Sequence, residues 1–248
     1  MFFSMTLGPS FPPLSSVRLD AQVILYLILV AVLMPLGALR SKAVIAGTRR
    51  GSPAPGRTAV LSRAVLVQGA LFLASLIVAR SHGMALWPRA RLRGMDLGIG
   101  VVALALLLGT GILSWRLRGP AERRDMWVRH LLPRTRAQWA LWLVVSAAAG
   151  ISEETTYRGV LVILLGSLTA SFVVAALLSA VVFAVVHYPQ GAKSMALVFA
   201  IALVMQAVVS ATGALYVAMG VHAVYDITAG IRAARRFADL EPAIIKNC

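Results

Sequence analysis

Long apolar runs recur along this chain, and they restrict its fold more than any other feature. A helix of about 20 apolar residues crosses a hydrocarbon core roughly 30 Å thick. Seven runs approach or exceed that length, at approximately 21–39, 59–79, 97–115, 139–165, 171–187, 194–211 and 214–231. Hydrophobic residues make up 59% of the 248 residues and charged residues 13%, which excludes an ordinary soluble domain. We therefore expect an all-α, polytopic transmembrane helical bundle.

The number of crossings depends on the fourth run, because it is longer than one crossing requires. A break near Gly159 or Gly166 would divide it, so the sequence permits eight membrane helices as well as seven. We divide the chain into three parts. Residues 1–138 hold about three N-terminal membrane helices with basic loops, residues 139–232 form a membrane core that contains the polar motifs, and residues 233–248 form a tail.

Basic residues greatly outnumber acidic ones, with 24 Lys and Arg against nine Asp and Glu and a net charge of +15. They are not interleaved with aromatic residues as in a nucleic-acid-binding patch, so we expect no nucleic-acid partner. They collect instead in 40–63, which we interpret as a flexible connector, in 116–136 and in the tail. The positive-inside rule places these parts in the cytoplasm of a multi-pass cell-membrane protein. Segment 80–96 is also basic and breaks this pattern, so we expect it to lie along the headgroups, anchored by Trp87.

Three charged side chains interrupt the fourth apolar run, in the sequence Glu153-Glu154-Thr155-Thr156-Tyr157-Arg158. Charge inside a membrane is costly and usually functional. In a helix Glu154 and Arg158 are four residues apart and share one face, where they can neutralise each other. Glu153 is rotated by about 100° from Glu154 and can face a cavity. We interpret Glu154 and Arg158 as a supporting pair and Glu153 as the functional acid.

Two further polar pairs lie in the apolar runs that follow. Phe183 and His187 are four residues apart, as are His222 and Asp226. Taken alone, His187 could be an interfacial residue, and His222 and Asp226 could form a helix-packing hydrogen bond. Together with the glutamates on a third segment, they predict one site shared by three helices.

These three motifs resemble those of the CPBP (CAAX protease and bacteriocin-processing) membrane endopeptidases, also called Abi or type II CAAX prenyl protease-like proteins. The family signature is Glu-Glu-x-x-x-Arg, then Phe-x-x-x-His, then His-x-x-x-Asn or Asp, on separate transmembrane helices. All three occur here in that order, and Gly159 after the first adds to the likeness. The resemblance covers about residues 139–232, which would be the catalytic membrane core.

The resemblance implies proteolysis within or at the membrane of a membrane-associated or lipidated protein or peptide. Carried over by position, Glu153 would be the general base and His187 would help it hold the attacking water. His222 and Asp226 would face the developing oxyanion, while Glu154, Arg158 and Phe183 would support the site. Many family members have Asn at position 226. An ionised Asp cannot donate to an oxyanion, so Asp226 would either orient His222 or donate in its protonated form.

Other functions remain compatible with the same residues. Glutamate, two histidines and an aspartate could hold zinc in a membrane metalloprotease. The chain has no His-Glu-x-x-His, however, and we favour a mechanism without a cofactor. A proton-coupled transporter would also use intramembrane acids and histidines, and a non-catalytic scaffold is a third alternative. The sequence does not identify the substrate or whether it is prenylated.

Overall fold

The computed structural model describes residues 17–49, 55–86, 92–124, 126 and 128–245, and within these ranges the regular structure is entirely helical. This confirms the all-α prediction. The α-helices are α1 (Ala21–Ile28), α2 (Met34–Arg49), α3 (Arg57–Ser81), α4 (Gly94–Arg116), α5 (Pro120–Arg124), α6 (Val128–Leu131), α7 (Arg136–Glu153), α8 (Leu161–Thr169), α9 (Phe172–Val186), α10 (Ala192–Thr212) and α11 (Leu215–Ile245). Two π-helical segments, Leu29–Leu33 and Glu154–Val160, and a 3₁₀ turn, Tyr188–Gln190, complete the described structure.

Four described helices are long and apolar enough to cross a membrane: Ala21–Gly47, Arg57–Ser81, Gly94–Arg116 and Ala192–Thr212. α9 is apolar but shorter. Large apolar side chains are exposed on the outer faces of several helices, for example Leu66 on α3 and Val101 on α4. Such surfaces are suited to lipid. The expected count of seven or eight crossings is not confirmed.

The fourth apolar run forms one uninterrupted helical path from Arg136 to Thr169, in which α7 is followed by Glu154–Val160 and then α8. Gly159 and Gly166 do not break it. Thr135 caps its start, because its hydroxyl accepts from the Gln138 N–H at 3.2 Å. The irregularity expected in this run is therefore a change of helix type.

The basic segment 40–63 is not a flexible connector over the residues that are described. α2 continues to Arg49 and α3 starts at Arg57. The glycines and prolines of this segment are confined to 47–56, so nothing stops the helix at its start. The segment expected at the headgroups is helical to Ser81 and again from Gly94, while Trp87 lies outside the described residues.

The last helix extends well beyond the apolar run 214–231. α11 continues to Ile245, so the described part of the expected tail is helical and continuous with the motif-bearing segment. Residues 246–248 lie outside the described ranges.

The two ends of the bundle are defined by contacts between elements distant in sequence. At one end, Asp20 before α1 meets His82 after α3, with Oδ2 and Nε2 3.1 Å apart. At the other end, the Lys193 ammonium donates to Glu122 at 2.7 Å. Lys42 on α2 lies over the Tyr188 ring at this same end. The described residues of 116–136, residues 187–193, the second half of α2 and the second half of α11 lie there, and we call it the basic end.

Candidate active site

Glu153, the first residue of the first motif, ends α7, and the rest of the motif lies in the π-helical segment Glu154–Val160, all of whose residues are buried. The Leu161 N–H donates to Thr156 O, five residues back instead of four. The neighbouring Tyr157 carbonyl accepts instead from the Ser179 hydroxyl of α9 at 2.6 Å. A side chain of another helix thus supplies a hydrogen bond to the altered ladder, and the segment is tied to α9.

Glu154 is fully buried and joins the first motif to the third. Its Oε1 lies 2.7 Å from His222 Nδ1 on α11 and 3.2 Å from Arg158 Nη1. The arginine contact has ion-pair distance without hydrogen-bond geometry. A carboxylate paired with arginine only accepts, so His222 Nδ1 carries the hydrogen and donates to it. Asp226 was expected either to orient His222 or to donate in its protonated form. In the structure, the hydrogen bond that orients the His222 ring is made to Glu154.

Glu153 has a different set of neighbours and is only partly buried. Its Oε1 accepts a 2.6 Å hydrogen bond from Gln68 Nε2 on α3. Its Oε2 lies 3.7 Å from His222 Nε2, and Asp226 Oδ2 lies 3.6 Å from the same nitrogen. His222 Nε2 therefore lies between two carboxylates while Nδ1 is held by a third.

His187 is positioned by its own helix and by Phe183. Its Nδ1 lies 2.8 Å from the Phe183 carbonyl, which can only accept, so Nδ1 carries the hydrogen. The two rings pack with centroids 4.7 Å apart. Phe183 also contacts Tyr157 edge-on at 4.9 Å, and the Arg158 guanidinium lies 4.3 Å from its ring centroid. The second motif is thus packed directly against the first.

A close helix crossing brings α7 and α11 together beside these residues. A Cβ on Gly150 would lie 2.6 Å from Met219 O and 3.1 Å from Ala223 N. Only glycine permits this approach, because the opposing atoms belong to the backbone. The crossing lies three residues before Glu153 and brackets His222, so it sets the distance between the two motifs.

One cavity of about 360 Å³ collects the expected site residues. Glu153, His187, His222, Asp226 and Phe183 all line it. It continues along α11 toward the basic end. The structure therefore brings the three motifs to a common space, with Glu154 and Arg158 buried behind it.

Two polar contributions from the first half of the chain were missed by sequence reasoning. Gln68 is one, and the signal for it is a lone amide inside the apolar run of α3. The other is a hydroxyl chain in which Tyr26 and Thr156 each lie 2.8 Å from Ser75. Ser75 donates its one hydrogen to Leu71 O, so it accepts from both neighbours. This chain links α1 and α3 to the π-helical segment.

The zinc alternative requires converging donors, and the described ranges contain no group of three or more His, Cys, Asp or Glu side chains placed to hold a metal ion. One imidazole nitrogen of each cavity histidine is committed to an oxygen of the protein. The second nitrogen of His222 has two carboxylates at 3.6 and 3.7 Å.

Comparison with known proteins gives a family match. Residues 135–228 match the family model described as type II CAAX prenyl endopeptidase Rce1-like. No curated protein and no solved structure matches the chain. The matched region contains all three motifs and begins at the cap of α7, and the family implies a peptidase. Over residues 135–228, therefore, the chain is similar to the Rce1-like type II CAAX prenyl endopeptidases, and the resemblance to the CAAX protease family that its three motifs carry is confirmed.

Proposed function

We propose that this protein is an intramembrane endopeptidase that hydrolyses peptide bonds of a membrane-associated or lipidated protein or peptide, as in CAAX-type processing or peptide maturation. The observation that carries the proposal is the convergence of Glu153, His187, His222 and Asp226 on one cavity between apolar helices. The family match supports it independently.

Glu153 is the general base of the proposed reaction. Gln68 holds its Oε1, which leaves Oε2 directed toward His222. Oε2 accepts a proton from a water molecule as the water oxygen attacks the scissile carbonyl carbon. The same carboxyl then gives that proton to the leaving amine, so it returns to its starting state.

His187 positions that water. Its Nδ1–H donates to the Phe183 carbonyl, so in the neutral imidazole Nε2 is the accepting nitrogen. A water that donates one hydrogen to Glu153 and the other to His187 has its oxygen lone pairs free for the carbonyl carbon. Two acceptors fix the water more firmly than one, which favours attack from a defined direction.

His222 stabilises the oxyanion. Because Nδ1–H is committed to Glu154, Nε2 donates a hydrogen bond only when the ring is an imidazolium. The carboxylates of Glu153 and Asp226, at 3.7 and 3.6 Å, stabilise that positive charge. Asp226 therefore acts through His222. A preorganised donor of this kind contributes about 3–4 kcal/mol to the transition state.

The proposed location is the cell membrane, with several crossings. The basic end contains the arginine-rich segments between α4 and α7 and after residue 231. The positive-inside rule assigns that end to the cytoplasm.

A cleavage assay with purified protein tests the proposal. The panel contains prenylated and unprenylated peptides, and the variants are Glu153→Gln and His187→Ala, each with and without a chelator. We expect both variants to lose cleavage and the chelator to have no effect. His82→Ala is the matched control, because this histidine lies at the opposite end of α3 from the basic end.

Each contrary result has a distinct meaning. Cleavage abolished by the chelator would replace the glutamate mechanism with the zinc one. Undiminished cleavage by Glu153→Gln would remove this residue from the reaction. A wild-type protein that cleaves no peptide of the panel would favour the transporter alternative.

A further inference from the structure

The cavity that contains the proposed catalytic residues has an unusual second half. Toward the basic end its wall includes Trp115 and Arg118 around the end of α4, and Arg232 and Arg236 on α11. Neither these four residues nor Arg123 belongs to the three motifs, and all five lie outside the matched region. No step of the proposed hydrolysis uses them.

Arg118 is a built-in part of this wall. Its side chain is 6% exposed, and its guanidinium donates to Ser114 O at 2.9 Å, to the Ser114 hydroxyl and to Ser194 Oγ at 3.0 Å. Glu122 lies 3.5 Å from its Nε. These contacts hold the Arg118 guanidinium against the cavity. Glu122 also pairs with Lys193.

The other cations of this wall have no carboxylate partner of this kind among the side chains that are described. Among the residues whose side chains are described, neither Arg232 nor Arg236 forms an ion pair with a carboxylate. The guanidinium carbon of Arg236 lies 4.8 Å from the Trp115 ring centroid, and that of Arg123 lies 5.2 Å from it. Partial burial lowers the pKa of Arg236, and the charges of Arg232, Arg123 and Arg116 lower it further. Several like charges held together in one wall stabilise a bound anion.

We propose that Arg118, Arg232, Arg236 and Trp115 form an anion-binding subsite that accepts a carboxylate of the substrate peptide. This proposal rests on the proposed peptidase function and adds a substrate requirement to it. The arginines line the same cavity as Glu153 and His222, and Arg118 is buried in that wall. A peptide in the cavity therefore reaches them, which favours a substrate carboxylate over a lipid headgroup.

α11 carries both Asp226 of the proposed catalytic site and the arginines of the subsite, so it sets the distance between the two. Arg232 follows Asp226 by six residues and Arg236 follows it by ten. At a rise of about 1.5 Å per residue these positions lie roughly 9 and 15 Å further along α11. An extended peptide advances about 3.3 Å per residue, so the carboxylate lies roughly three to five residues from the scissile bond. The carboxylate is either the peptide's C-terminus or an acidic side chain at that distance.

Binding of one apolar, N-acetylated decapeptide to the full-length protein tests the subsite. It is prepared with a free C-terminal carboxylate, with a C-terminal amide, and as an amide with one internal Asp. We expect a carboxylated form to bind about tenfold or more tightly than the plain amide, as for a charge-assisted hydrogen bond. Which of the two carboxylated forms is preferred identifies the source of the charge. Equal binding of all three forms would overturn the proposal.

Variants assign the effect to the arginines. Arg232→Gln/Arg236→Gln should lose the preference for the carboxylate, and Arg118→Lys, which keeps a buried cation, should retain most of it. Arg18→Gln/Arg80→Gln is the matched control, because it also removes two positive charges, but from exposed positions near the end opposite the basic end. A preference retained by Arg232→Gln/Arg236→Gln would refute the assignment.

Two further measurements separate the competing outcomes. Peptide binding is also measured in nanodiscs with and without phosphatidylglycerol. If Arg232→Gln/Arg236→Gln changes only the effect of this anionic lipid on binding and leaves the carboxylate preference intact, these residues bind headgroups and the proposal is overturned. Cleavage of the peptides is measured in parallel. Carboxylate preference in binding without any cleavage would refute the peptidase function but retain the subsite. Equal cleavage and equal binding of all forms would support the peptidase function but refute the subsite.

Discussion

Replacing Gly150 with alanine should separate α7 from α11 and misalign the proposed catalytic groups. The new Cβ would lie 2.6 Å from Met219 O, whereas ordinary van der Waals contact begins at 3.4 Å, so the helices must move apart by 0.8 Å. The opposing atom is backbone and cannot rotate away. If the whole displacement reached His222, its 2.7 Å bond to Glu154 would lengthen to 3.5 Å, the limit for a hydrogen bond.

Two effects, one on stability and one on activity, follow from this displacement. Overpacking of a tight contact costs about 1–3 kcal/mol of stability. A misplacement near 1 Å at a catalytic site can lower the rate by about 100-fold. We therefore expect Gly150→Ala to fold with a reduced thermal midpoint and to lose about 100-fold in cleavage rate while it is still folded.

Gly220→Ala is the matched control on the same crossing helix. Gly220 is two residues from His222, but a Cβ there meets nothing within 4 Å. Its replacement should leave activity unchanged, and alanine favours helix formation over glycine by about 1 kcal/mol. The assays are thermal unfolding in detergent and peptide cleavage by both variants. Wild-type midpoint and wild-type cleavage in Gly150→Ala would refute the reasoning, because the close crossing would then not set the site geometry.

Three further predictions concern polar groups. Arg158→Met should lower the free energy of unfolding by about 3–5 kcal/mol, because it leaves Glu154 charged and fully buried. The double variant with Glu154→Gln should recover part of this loss. Additive losses of the two single variants, measured by thermal unfolding, would contradict the pairing. Gln68→Leu should lower kcat more than it raises KM, because Glu153 loses the donor to its Oε1; an unchanged kcat, measured in the peptide-cleavage assay, would show that this hydrogen bond does not position the base. The hydrogen bond from the backbone N–H of α1 and the charge of His82 lower the pKa of Asp20 below 3.8. The stabilising contribution of Asp20 is therefore present above pH 3.8 and is lost as the pH falls through the lower pKa of the folded state. The difference in thermal midpoint between wild type and Asp20→Ala should shrink on acidification. A difference independent of pH would contradict this.

Residue type and spacing were sufficient to predict the helical class and the three motifs. Apolar runs identify helices because no other element satisfies its own backbone in lipid. Polar residues in such runs are conspicuous, and this is how Glu153, His187 and His222 could be named. Their common cavity required only that three helices pack together.

Other features depend on contacts that no single segment encodes. Gln68 lies 85 residues before Glu153, and only the packing of α3 against α7 brings them together. The partner of His222 also could not be read from spacing. Asp226 has the favourable four-residue offset, yet Glu154 from another helix makes the shorter contact. Tertiary packing therefore decided the partner of His222 against the acid that local spacing favoured.

The π-helical segment Glu154–Val160 makes the site depend on chain length as well as on residue identity. A π turn holds about one residue more than an α turn over the same rise. Deleting one residue from this segment would allow an unbroken α-helix, in which α7 and α8 keep nearly their present relative orientation because the π turn had absorbed the extra residue. Glu153 on α7 and the residues of α8 would then keep most of their neighbours, whereas the residues of the segment itself, Glu154 and Arg158 among them, would be turned relative to both. Single substitutions would leave this requirement undetected, and a one-residue deletion would reveal it.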